Sequence, residues 1–291
     1  MSVAISRYEV PVAPAAAVAL QRGDGAAEIV FARRGAVTAL AHLYQRTPCR
    51  VLFPHAAPGD IPLAALLTTS GGIAGGDRLR LAAGVAREAR AVVTSAAAEK
   101  VYGSLGADAR MDIALTVASG GWLEWLPQET ILFDGARLVR RVEADVAEGG
   151  RLLAADMAVF GRTARGEVFS EGLLHEAWRI RVGGRLVWAD ALRLEGDVRA
   201  RLDAPVAFAG ARAMATVAYV AGDAARHLPL ARALAKDEAC RGGASVVNGV
   251  LLARFLGQRA DAVRGAVARY VSALRHAAAG WPAAMPPLWN I

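Results

Sequence analysis

The chain has 291 residues, 55% of them hydrophobic and 21% charged, with only two cysteines, Cys49 and Cys240. A chain this long buries enough surface to hold a core without crosslinks, and the composition excludes a largely disordered protein, a disulfide scaffold and a zinc ribbon. The formal charge is +7, yet Lys100 and Lys236 are the only lysines and the arginines are scattered; no basic block marks a nucleic-acid footprint, and a basic face for an acidic protein partner is the better expectation.

The mean hydropathy of +0.30 raises the question of a membrane span. The longest uncharged stretch, 61–76, is 16 residues interrupted by Pro62 and four glycines. A spanning helix needs about 20 apolar residues with few such breakers. Glu9, Pro11 and Pro14 interrupt the N-terminal apolar stretch, which argues against a signal peptide. The expectation is a cytoplasmic protein with no membrane segment, forming one body over residues 1–291.

In chain order, the first signal is short strands, over about residues 28–220. Residues 78–81 alternate apolar and polar side chains, as do 111–117 and 142–146, the period of a half-buried strand. Glycine pairs at 71–72, 75–76, 120–121, 149–150 and 183–184 punctuate the strands. No internal repeat stands out. If 122–126 is a strand, Trp122, Glu124 and Leu126 share one face and Leu123 and Trp125 the other. Both faces are then largely apolar, and Glu124 is drawn inward, where it must find donors, a cation or a proton.

The clearest hairpin is 178–191, with Gly183 and Gly184 suited to a type I′ turn. That register predicts Arg179 opposite Trp188, with its guanidinium on the indole face. A shorter helix is expected near 224–236. Residues 249–256 read equally as strand or helix. Val263, Val267, Tyr270, Val271 and Leu274 form one helical stripe. From Ala277 on, Pro282, Pro286 and Pro287 preclude a regular helix, and the tail with Trp281 and Trp289 is expected to lie over the surface.

Motifs for familiar chemistry are absent. The glycine-rich stretch 68–77 lacks the ending of a phosphate-binding loop and the spacing and following helix of a dinucleotide site. His42, His55, His175, His227 and His276 are dispersed, and there is no His-Glu-x-x-His, Cys-x-x-Cys or nucleophile elbow. Glu124 and Glu129 admit a glycosidase-like carboxylate pair or structural ion pairs with arginine.

Four stretches carry a resemblance: 69–77 (TSGGIAGGD), 94–102 (TSAAAEKVY), 123–133 (LEWLPQETILF) and 161–169 (GRTARGEVF). In order and spacing they resemble the urease accessory protein UreD family, also called UreH, from roughly Ala32 to the C-terminus. Two departures stand out: Thr94-Ser95 where the family commonly has two threonines, and Pro287 where its tail commonly has arginine. The resemblance implies a mainly β fold, a helix-like stack of coiled strands in one body with a small C-terminal helical portion. It implies a non-enzymatic chaperone for nickel insertion into apo-urease that binds UreF and, through it, the GTPase UreG. It is compatible with a dimer of accessory complexes. No permanently bound cofactor is implied, only nickel in transit, along an internal tunnel in family models.

Clustered imidazoles and thiolates would trap nickel, whereas scattered carboxylates and waters hold it weakly. On that footing Asp77, Glu124, Glu129 and Glu167 are expected to line or shape a hydrated passage, with Lys100 and Arg162 pairing the carboxylates. The structural alternative has Asp77 capping a glycine turn and Glu167 paired to Arg162. A second reading makes the chain a docking scaffold with no metal path, using Trp281, Trp289 and the stripe from Val263 to Leu274 as contacts. A third is a hydrolase using Glu124 and Glu129.

Overall fold

A computed structural model describes residues 22–290; Glu9, Pro11 and Pro14 lie outside them. The chain opens with β1 (Asp24–Arg34), β2 (Val37–Arg46) and β3 (Cys49–Leu52). It then coils through β4 (Leu63–Thr68), β5 (Arg78–Val85), β6 (Arg90–Ser95), β7 (Glu99–Val101), β8 (Ala109–Val117), β9 (Trp122–Leu126), β10 (Thr130–Leu132), β11 (Arg137–Val146), β12 (Arg151–Phe160) and β13 (Glu171–Val182). β14 (Arg185–Asp197) returns along β13. Then come α1 (Val198–Asp203), β15 (Ala213–Val220), α2 (Leu228–Leu234), β16 (Arg241–Val247), β17 (Val250–Gly257) and α3 (Ala260–Ala279).

One sheet has seven strands in the order β14-β13-β11-β8-β5-β1-β2. The other has ten, with β16-β17-β15-β12-β9-β6-β4-β3 along its main path and β10 and β7 beside β12. Between β4 and β13 the chain steps back and forth between the sheets, and each strand lies parallel to its counterpart one coil earlier. This is the mainly β coiled stack, with a C-terminal helix, that the resemblance implies.

Side-chain alternation dictates the layers. In β8, Met111, Ile113, Leu115 and Val117 face the space between the sheets while Arg110, Asp112, Ala114 and Thr116 face out. The ten-stranded sheet is covered on both sides, so β9 is buried throughout: Leu123 and Trp125 face the first sheet, Trp122 and Leu126 the helical layer. The predicted stripe of α3 is buried against that second face. It is core, which removes it as a docking contact.

The structure settles one open reading and corrects others. The stretch 249–256, open between strand and helix, is strand over Val250–Gly257. In the β13–β14 hairpin Gly183 and Gly184 both take positive φ, 55° and 79°, as the turn requires. However, a bulge between Ile180 and Arg181 shifts the register, so Trp188 faces Ile180 and Arg179 faces Ala189. Trp188 packs against Trp178 at 6.1 Å instead. In the tail, Trp289 is buried, only 6% exposed, and its indole N–H donates to the Leu126 carbonyl at 3.0 Å. The tail is tied down at that carbonyl, which also accepts from the Thr94 hydroxyl at 2.6 Å.

There is also a repeat. The corners leading from the seven-stranded to the ten-stranded sheet read VAREAR (85–90), VASGGW (117–122) and VAEGGR (146–151). Each closes with an amide donating to a carbonyl three residues back, Ala89 to Ala86, Gly121 to Ala118 and Gly150 to Ala147. The fourth position is left-handed in all three, with φ of 58° at Glu88, 69° at Gly120 and 76° at Gly149. Glu88 bears the cost glycine avoids, and its ion pair with Arg33 is half exposed and weak. Glu88→Gly is therefore expected to stabilise the protein by about 1 kcal/mol, the left-handed strain less the added chain entropy of glycine, read as a higher urea midpoint. A lowered midpoint would show that the Arg33 pair outweighs the backbone strain.

Candidate functional site

The four resembling stretches occupy the corners at the other side of the coil. They follow or span the ends of β4, β6, β9 and β12 and stack on one another. Ile73 N–H donates to the Lys100 carbonyl at 2.7 Å and Tyr102 N–H to Ile73 at 2.9 Å. Glu99 N–H donates to Glu129 at 2.9 Å, Phe133 N–H to Val101 at 3.0 Å and Gly161 N–H to Leu132 at 2.8 Å. The stacking is close: a Cβ at Gly72 would lie 2.7 Å from the Tyr102 ring, which explains glycine there.

The predicted carboxylates are placed by these corners and by α3. Asp77 caps its glycine turn, accepting from Gly23 N–H at 2.7 Å and Ala74 N–H at 2.8 Å. Glu124 has no exposed surface, and both of its oxygens accept from Arg275 Nε, at 3.1 and 3.0 Å. Burial pushes its carboxyl upward, while Arg275 and the Trp122 indole N–H oppose the push. Glu129 is paired by Arg264 of α3, whose guanidinium also reaches Gln128 and the Trp289 carbonyl and stacks on the Trp289 ring. Glu167 is held below the usual carboxylate range by hydrogen bonds from Arg162, as the ion-pair reading expects. Lys100 is exposed and makes no ion pair with a described residue; Arg264 takes the role expected of it.

These side chains do not converge. Among the described residues no group of three or more His, Cys, Asp and Glu side chains is poised to hold a metal. Arg264 and Arg275, the partners of Glu129 and Glu124, stand eleven residues apart on α3, about 16 Å of helix. Glu124 has no exposed surface and Glu129 is held by Arg264, so both carboxylates stand in ion pairs with arginine, the structural alternative to a glycosidase pair.

Behind the stacked corners, between the sheets, lies a cavity of about 250 Å³. Leu66, Leu79, Met111, Ile113 and Trp125 supply apolar wall, and the buried Cys49, Arg140 and Asp156 and the half-buried Glu99 are ionisable groups along it. Glu99 accepts from Thr68 Oγ1 at 3.1 Å, and burial pushes its carboxyl up to about 7. Burial likewise pushes the Cys49 thiol up to about 11, which keeps it protonated at neutral pH. Arg140 Nη2 lies 2.5 Å from Glu176 and 2.9 Å from Asp156, and its Nη1 donates to Thr130 at 2.8 Å. Neither Asp156 oxygen gains an aligned hydrogen bond, and burial pushes this carboxyl up to about 8.

A family model described as UreD urease accessory protein matches residues 23–290. A urease accessory protein UreD of Magnetococcus marinus is 42% identical over 92% of this chain and 94% of its own length. One from Rhodopseudomonas palustris strain HaA2 is 42% identical over 97% and 98%, and one from Granulibacter bethesdensis is 44% identical over 82% and 99%. The chain belongs to the UreD family of urease accessory proteins. For this UreD family member, the family match spans both sheets, α3 and the tail, so the corner stack and the cavity sit inside the matched region.

Sequence reasoning passed over Arg140, Asp156, Glu176 and Glu99 as site residues. A signal existed for the first three: each falls at an inward position of an otherwise apolar alternation, Leu138-x-Arg140-x-Val142 in β11, Ala154-x-Asp156-x-Ala158 in β12 and Leu174-x-Glu176-x-Trp178 in β13.

Proposed function

We propose that this chain is a non-enzymatic chaperone and scaffold for nickel insertion into apo-urease in the cytoplasm. In this reading it binds UreF, reaches the GTPase UreG through UreF, and gives nickel a route to the urease active site. The supporting observation is the inter-sheet cavity behind the family's own corner motifs: an apolar chamber with carboxyls at Glu99 and Asp156 and a protonated thiol at Cys49. Nickel is the cargo. Two separated carboxyls and water hold it loosely, whereas a thiolate or imidazole cluster would retain it.

Asp77, Glu124, Glu129 and Glu167 act in this proposal by shaping the route. Asp77 fixes the first corner, Glu167 the last, Glu129 ties its corner to α3, and Glu124 anchors β9 beneath α3. Asp156→Asn is expected to lower the nickel content of urease several-fold in cells, with the accessory complex and urease still co-purifying. Glu129→Gln and Glu167→Gln are expected to give a smaller loss. Metal analysis of purified urease reads the result. Full nickel occupancy with Asp156→Asn would leave the docking scaffold as the function.

A further inference from the structure

The outer face of the seven-stranded sheet is uncovered, and its charge is uneven. The parallel register aligns outward side chains in rows across the strands. Asp24, Arg78 and Arg110 stand side by side in one row. The next row carries Arg46, Ala26, Arg80, Asp112 and Arg141. Five exposed or half-exposed arginines thus face two aspartates. Asp24 serves both Arg46 and Arg80, at 2.9 and 2.7 Å, and Asp112 meets Arg141 only at 3.9 Å. Arg78 and Arg110 are direct neighbours and neither forms an ion pair with a described residue. Like charges placed side by side on a sheet cost stability.

The following rows are different. Glu28, Ala82, Ala114, Glu143 and Arg179 lie in one, and Asp145 and Arg181 in the next, so three carboxylates meet two arginines and the sign is nearly balanced there. A shallow depression of about 390 Å³ lies along the boundary, floored by Ala82 and Ala114 and walled by Arg80, Asp112, Arg141, Glu28 and Glu143.

We infer that this arginine-rich half of the outer sheet face docks an acidic protein surface, carried by the urease apoprotein, whose carboxylates satisfy Arg78 and Arg110. The inference rests on the docking part of the proposed function. Charge complementarity argues for the occupant: two adjacent cations without counter-ions are completed by carboxylates from outside. The interleaved Asp24, Glu28, Asp112 and Glu143 repel a continuous phosphate backbone, and the alanine floor offers apolar contact to a protein partner.

The experiment measures binding of the purified full chain to purified apo-urease across a salt series. Arg78→Glu with Arg110→Glu is expected to weaken binding about tenfold or more and to flatten its salt dependence. Arg78→Gln with Arg110→Gln should fall between that variant and the parent. Arg179→Glu with Arg181→Glu, on the nearly balanced rows, should bind as the parent does. Thermal melts of all variants check folding. If the parent binds and the Arg78/Arg110 reversal binds equally well, this face is not the dock and the docking function stands. If the reversal weakens retention on heparin but not on apo-urease, the surface serves a polyanion and the inference fails. If the parent does not bind apo-urease, the docking function and the inference fall together.

Discussion

Replacing Arg275 by methionine is expected to destabilise the protein by about 3–5 kcal/mol, the cost of breaking a fully buried ion pair. Arg275 has no exposed surface. Its Nε serves both Glu124 oxygens. Its Nη1 donates to Asp60 Oδ2, the Pro282 carbonyl and the Ala284 carbonyl, each at 3.0 Å, and its Nη2 donates to Asp60 Oδ1 at 2.6 Å. One side chain therefore joins β9, the loop before β4, α3 and the tail. Methionine fills most of the volume and leaves Glu124 buried with only the Trp122 N–H, at 2.9 Å. Urea unfolding measures the loss. Adding Glu124→Gln to Arg275→Met should recover part of it, because the stranded charge is gone. A loss below about 1 kcal/mol in the single variant would show that water reaches the site and replaces the guanidinium.

The second large effect is a stability that falls as pH rises. Glu99 is pushed from 4.5 up to about 7 and Asp156 from 3.8 up to about 8, in both cases by burial. Between the unfolded and folded values the folded protein keeps protons that the unfolded chain has released. Stability must then decrease with rising pH across that window. For Glu99 the displacement corresponds to about 3 kcal/mol between pH 4.5 and 7. Glu99→Gln should remove that part of the slope and leave the variant more stable than the parent at pH 8, by on the order of 2–3 kcal/mol. Denaturant midpoints from pH 5 to 8 test it. Parallel curves for parent and variant would mean that Glu99 is hydrated through the corner loops.

Local patterning made much of this architecture legible. The alternation of β8 and the two apolar faces of β9 fix which side chains enter the core, and the stripe from Val263 to Leu274 fixes the buried side of α3. What stayed hidden depends on long-range register. Arg140 meets Asp156 and Glu176 only because β11, β12 and β13 belong to successive passes of the coil, and a single strand does not say what lies across from it. Glu129 finds Arg264 at a separation of 135 residues. The Trp188 register failed by one position because a bulge is a local irregularity with no composition of its own. The corner repeat was masked because Glu88 stands where the other two corners have glycine.

The clasp between Asp60 and Arg275 spans 215 residues of chain, whereas the strand pairings of the coil join neighbouring passes. During synthesis the coil can therefore assemble pass by pass as it leaves the ribosome, while the face that α3 will cover stays bare and Glu124 waits without its counter-ion. The newborn protein is most vulnerable to aggregation just before α3 and the segment that follows it emerge.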